Sequence, residues 1–124
     1  MKKQILDVVF YQLKLAFERR NFEIMIPEQD HGCSFFAYNK KREKIPIFIV
    51  TDFSIGEMVK IRIYNPHGLN ANKKREILQK QGDFFSLNAD NELEKTIPVD
   101  LGAYPNIDDI ANNFTRAYSF IVSE

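Results

Sequence analysis

Apolar and polar positions along this chain change period several times, and each change marks an element. Through residues 2–20, Ile5, Leu6, Val9, Leu13, Ala16 and Phe17 recur at three- and four-residue steps, which places them on one face of an amphipathic helix. Asn21 stands where that helix closes. Phe22, Ile24 and Ile26 then alternate with Glu23 and Met25 until Pro27 stops the run, the period-two signature of a strand. In CSFFAYN, Cys33, Phe35 and Ala37 share one face and Ser34, Phe36 and Tyr38 the other. A polar turn over residues 39–42 leads into a third strand over 44–50. The fourth, 58–64, is the cleanest alternation: Val59, Ile61 and Ile63 inward, Lys60, Arg62 and Tyr64 outward.

Beyond it, NPHG is a turn, because proline presets φ and glycine accepts positive φ. Residues 70–81 read as a short helix with Asn70 or Asn72 as cap and Gly82 as the stop. Residues 84–87 and 92–99 flank Ala89-Asp90-Asn91, the signal of a β-hairpin with a three-residue loop. Asn106, with Asp109 three residues on, resembles a capping box with aspartate in place of glutamate. The helix behind it presents Ile107, Ile110, Ala111, Phe114, Ala117, Tyr118, Ile121 and Val122 for burial.

The element order is α-β-β-β-β-α-β-β-α. Short connections between successive strands favour antiparallel pairing, and two long amphipathic helices need a sheet face to cover. The expectation is an α+β fold: a mostly antiparallel sheet of five to six strands, terminal helices packed on one face, and a short helix between strands. Its other face stays partly open, where a partner docks. No repeat, low-complexity segment or linker divides residues 1–124, so one domain is expected.

Composition supports this without widening it. At 44% hydrophobic residues, eleven of them phenylalanine, the 124-residue chain can build one core without disulfides, metals or an obligatory partner. A single cysteine excludes an internal disulfide and fits a reducing compartment. Asp7, Gln12 and Lys14 break the apolar run a signal peptide requires, and no stretch approaches the roughly 18 apolar residues of a spanning helix. A cytoplasmic protein with no membrane association is expected.

The chemistry-bearing residues point to structure more than to catalysis. Asp30-His31-Gly32-Cys33 gathers the only cysteine with one of two histidines, and in an extended chain the i, i+2 spacing of His31 and Cys33 turns both side chains to the same side. A nucleophilic cysteine needs a lowered pKa and exposure to substrate; Cys33 instead opens a strand, where free cysteine behaves as a small hydrophobe. A thiol enzyme using Cys33 and His31 is therefore the weaker alternative. Metal binding lacks a CxxC, HxxxH or HExxH spacing, and His67 sits in the NPHG turn. Glycines 32, 56, 68, 82 and 102 form no GxGxxG and no P-loop. Asp108-Asp109 belong to a helix start, where negative charge suits the dipole, and Glu92 and Glu94 to the outward face of a hairpin strand. No cofactor and no enzymatic activity are expected.

Charge distribution is the most informative surface feature. Residues 39–80 carry ten basic and four acidic side chains and residues 81–124 two basic and eight acidic, so overall neutrality hides two opposed blocks. Lys40, Lys41, Arg42 and Lys44 share one turn, Lys60 and Arg62 a strand's outward face, and Lys73, Lys74 and Arg75 the short helix. With Tyr64 beside them and Phe53 and Tyr104 as loop aromatics, these form the candidate partner-binding set if they converge. Such a patch suits a protein partner or a second copy of the chain, since complementary potentials choose partners. Nucleic acid is the lesser reading, because the acidic block repels a polyanion. In the blandest case the two blocks pair with each other inside one chain.

The element order, the stretch VKIRIYNPHGLNANKKREILQKQGDFFSLNADNELEKTIPVDL and the closing IDDIANNFTRAYSFI resemble the YbjN-like and type III secretion chaperone-like fold. That resemblance implies a non-enzymatic protein that binds an effector through an exposed sheet or helix surface and often forms a homodimer. The chain departs from the pattern in an extra strand-like segment and the loop TDFSIGE. Small immunity proteins that neutralise a toxin also use α+β domains of this size.

Overall fold

Each predicted periodicity becomes an element of the expected type. In chain order the computed structural model contains α1 (Lys2–Arg19), β1 (Phe22–Met25), β2 (Ser34–Asn39), β3 (Phe48–Phe53), β4 (Met58–Ile63), α2 (Ala71–Gln81), β5 (Ser86–Leu87), β6 (Leu93–Pro98) and α3 (Ile107–Val122). It describes residues 2–26, 34–39, 47–53, 58–64, 71–98 and 105–122. The strands form one antiparallel sheet in the order β1-β2-β3-β4-β6-β5. The fold is α+β, with helices at both ends and one between strands.

Local chemistry sets the helix ends. Asn21 takes φ 70°, the left-handed conformation that asparagine tolerates, and stops α1 while the amides of Arg20 and Asn21 donate back to Phe17 and Glu18. At the start of α3 the Asp109 amide donates to Asn106 Oδ1 at 3.0 Å, the N-cap bond the sequence predicts. After α2, a Cβ on Gly82 would lie 2.3 Å from the Leu78 carbonyl oxygen, so only glycine fits there. The Gln81 carbonyl then accepts from the amides of Phe84 and Phe85.

Three boundaries differ from expectation, the first being the start of β3, which falls at Phe48 with Ile47 outside the strand and not at residue 44. β3 runs on to Phe53, because Thr51, Asp52 and Phe53 pair with Lys60, Val59 and Met58 of β4; TDF is strand and not loop. β5 is reduced to Ser86–Leu87, because Phe84 and Phe85 stay in the turn and pack on Phe114 with ring centroids 5.6 and 5.0 Å away.

The core lies between the helices and one sheet face. Val9, Leu13, Ala16 and Phe17 of α1 and Ile110, Ala111, Phe114 and Ala117 of α3 are buried against Phe22, Phe35, Ala37, Phe48, Val50, Val59, Ile61, Ile63 and Ile97. Phe17, Phe48 and Phe114, one ring each from α1, β3 and α3, meet with centroids 5.2 to 6.3 Å apart. Polar contacts lock the helices together. Arg20 donates to Asn112 Oδ1 at 2.8 and 3.0 Å, and buried Gln81 donates to the Asn113 backbone oxygen and Oδ1 at 3.0 and 3.1 Å. Lys73 reaches the Ile121 carbonyl at 2.8 Å, so α2 and α3 run antiparallel and the cation sits at the negative end of α3.

Phe114→Ala is expected to lower unfolding free energy by about 3–5 kcal/mol through loss of the shared ring contacts. Gly82→Ala is expected to cost about 1–3 kcal/mol, because the added methyl meets a backbone oxygen that cannot step aside. Urea denaturation followed by circular dichroism measures both; an unchanged midpoint in either variant contradicts the packing described.

Candidate functional site

Strand alternation sends one set of side chains into the core and leaves the other set on the far side of the sheet, where no described helix lies. Strand register arranges this outward set in rows. One row crosses the whole sheet: Met25, Phe36, Ile49, Arg62, Glu94 and Ser86. A second contains Ser34, Thr51, Lys60 and Thr96. The first row therefore grades from apolar over β1–β3 to charged over β4 and β6, while the second is polar throughout. Met25 is 53% exposed at the apolar end, Phe36 is half-buried, and Ile49 is buried between Phe36 and Arg62.

The charged end is built around the β5–β6 turn. Asn91 adopts φ 63° and its amide donates to the Asn88 carbonyl, the geometry of the expected three-residue hairpin loop. Asn88 uses both ends of its amide. Its Oδ1 accepts from the Asp90 and Glu92 backbone amides at 2.9 Å each, and its Nδ2 donates to Glu92 Oε1 at 3.1 Å and Glu94 Oε2 at 3.2 Å. Held in this way, Glu92 receives Arg62 Nη1 on both carboxylate oxygens, at 2.9 and 3.1 Å. The Arg62 guanidinium also lies 5.8 Å from the centre of the Tyr64 ring. Beside this network a depression of about 320 Å³ is lined by Thr51, Lys60, Arg62, Asn88, Ala89, Asp90 and Glu94.

Of the residues singled out from sequence, Lys60, Arg62 and Tyr64 come together on the open face as the alternation predicts. Of those on α2, Lys74 reaches the β5–β6 turn beside them, while Lys73 turns to α3. Lys73 caps α3 in the helix layer, Lys74 donates to the Asn91 carbonyl at 3.0 Å, and Arg75 is exposed on α2. Phe53 belongs to β3 opposite Met58, and its side chain lies outside the described residues. Lys40, Lys41, Arg42, Lys44, Tyr104, His67 and the pair His31 and Cys33 also lie outside them.

The depression thus gathers the cations Lys60 and Arg62 with the carboxylates Asp90 and Glu94, and Arg62 pairs with Glu92 beside it. At Arg62 and Glu92 the basic and acidic blocks of the sequence meet in an ion pair. A face of this kind offers alternating donors and acceptors, with an apolar flank, to a surface of matching pattern. Among the described residues its cations alternate with carboxylates, which interrupts the positive field a phosphate backbone would meet. Among the described residues no group of three or more histidine, cysteine, aspartate or glutamate side chains could hold a metal ion, and no helix is long and apolar enough to cross a membrane.

Met25, Asn88 and Asp90 were not singled out from sequence. Met25 carried a signal, an apolar residue on the polar side of a strand alternation. Asn88 carried none, since its role comes from folding two strands against a third. No protein-family description, curated protein or solved structure matches the chain.

A double-mutant cycle on Arg62→Ala and Glu92→Ala is expected to give a coupling of about 0.5–1 kcal/mol for this half-exposed bidentate pair, shrinking as salt is raised. Zero coupling at low salt would mean that the two blocks do not pair in solution.

Proposed function

We propose that this chain is a non-enzymatic protein-binding module that docks a partner protein on the open face of its sheet. The observation that carries this reading is one-sidedness: among the described residues the helices cover one face, while the other presents Met25, Phe36, Thr51, Lys60 and Arg62 in ordered rows, with Tyr64 beside Arg62. The grading from apolar to charged supports a protein partner, because such interfaces combine an apolar centre with a polar rim. The half-buried Phe36 and the exposed Met25 supply the centre, and Lys60, Arg62 and Glu94 the rim. Within this reading the role is chaperone-like, holding an effector, or immunity-like, neutralising a toxin, and it operates in the cytoplasm.

Nucleic acid binding is the alternative that the basic 39–80 segment suggests. The engagement of Arg62 by Glu92, and of Lys73 and Lys74 by backbone carbonyls, weighs against it. A thiol enzyme using Cys33 and His31 is the lesser alternative, and unchanged cellular function of a Cys33→Ser variant removes it.

Affinity capture from nuclease-treated native lysate, with quantitative mass spectrometry, tests the leading reading. A protein retained by the wild-type chain is expected to fall several-fold to roughly tenfold with Lys60→Glu and to stay unchanged with Arg75→Glu on the helix layer. Equal loss with both variants, or recovery of nucleic acid alone from untreated lysate, overturns it.

A further inference from the structure

The two edges of the sheet are unequal. β5 offers only two residues at one end of the strand order, whereas β1 offers Phe22–Met25 at the other. Exposed edges are commonly blunted by short strands, and β5 is one. β1 instead ends at Met25, with Ile26 directly after it, and these are 53% and 50% exposed.

Hydrogen-bond phase determines what β1 can accept. The Ala37 carbonyl accepts from the Ile47 amide at 2.7 Å, so the Ala37 main chain points toward β3. Ile24 is paired with Ala37, and in an antiparallel ladder a residue opposite one that points away makes no bond across that pair. Ile24 therefore turns its N–H and C=O away from β2, toward the outer edge, and by alternation so do Phe22 and Ile26. Among the described residues no strand pairs with that edge.

We propose that the β1 edge pairs with the β1 edge of a second copy, antiparallel about a two-fold axis through Ile24. In this register Ile24 pairs with Ile24 of the second copy and Phe22 with Ile26 of the second copy, each pair exchanging two hydrogen bonds. Glu23 falls opposite Met25 of the second copy on the open face, so no like charges meet. An axis through Glu23 would set the two Glu23 carboxylates directly opposite each other. An axis through Met25 would bring Pro27 into the ladder and forfeit bonds from Phe22. The favoured register is thus the one that uses all three outward-turned residues and covers both exposed apolar side chains. Because the opposite edge is only two residues long, the assembly closes as a dimer and does not grow into a filament. The two sheets become one, and their open faces join into a continuous surface.

Sedimentation of the full-length chain across micromolar concentrations tests this. The wild type is expected to dimerise. Met25→Glu places a carboxylate opposite Glu23 of the second copy twice about the axis and is expected to raise the dissociation constant roughly tenfold, with the circular dichroism spectrum unchanged. Adding Glu23→Lys to Met25→Glu turns both contacts into opposite-charge pairs and is expected to restore the dimer. A wild-type chain that stays monomeric overturns the proposal. So does a dimer indifferent to Met25→Glu, or amide-exchange protection of residues 22–26 that arises only when a different protein is added. Loss of partner capture by Lys60→Glu with the dimer intact leaves this assignment standing, so the edge and the open face are tested separately.

Discussion

Three phenylalanine rings from distant parts of the chain, Phe17, Phe48 and Phe114, meet on one side of the sheet, and the rest of the architecture depends on that meeting. Each ring must leave water, and none can do so alone: α1 and α3 need an apolar surface beneath them, and the sheet needs a cover. Phe22 and Tyr118 extend the cluster toward β1, while Phe84 and Phe85 extend it toward α2. Since the aromatic mass gathers on one face, the helices gather there as well. Among the described residues the opposite face carries Met25, Phe36, Ile49 and Met58 as large aliphatic or phenyl side chains, interspersed with Ser34, Thr51, Lys60 and Arg62.

Charge follows from the same geometry. β6 lies beside β4, although the whole of α2 separates them in sequence, and this adjacency brings Glu92 and Glu94 onto Arg62. Packing α2 against α3 in antiparallel fashion likewise carries Lys73 to the carbonyl end of α3 and sets Lys80 4.9 Å from the Phe120 ring. Arg62, Lys73 and Lys74, which look like part of a binding field in the linear sequence, are engaged locally in the fold. The docking proposed for the open face would rest on pattern and shape more than on long-range attraction, which salt screens.

Element types and most boundaries were legible in the sequence, because they depend on residues within a turn or two of one another. Val59, Ile61 and Ile63 alternate with Lys60, Arg62 and Tyr64 whatever lies nearby, and burial follows that alternation. Asn21 and Asn106 act on their own neighbouring amides, so their roles as helix stop and cap could be read directly. The end of β3 was not legible: the pairing of Thr51, Asp52 and Phe53 comes from β4, and nothing polar or glycine-like in TDF announces it. The shortening of β5 was equally hidden, since Phe84 and Phe85 obey Phe114 and not their own strand propensity.

By itself, then, the sequence determined the α+β class, the helix and strand succession, the inward and outward members of each strand, and the pairing of Lys60, Arg62 and Tyr64 on one face. Tertiary structure decided that β6 and not β5 lies beside β4, that Asn88 holds Glu92 and Glu94 while Glu92 pairs with Arg62, that Lys73 turns to the end of α3, and that Ile24 turns its main chain to an edge with which no described strand pairs. The division has one cause. Periodicity and capping are local steric and hydrogen-bonding preferences, whereas neighbours across a sheet are chosen by the closure of long loops and the shared burial of distant rings.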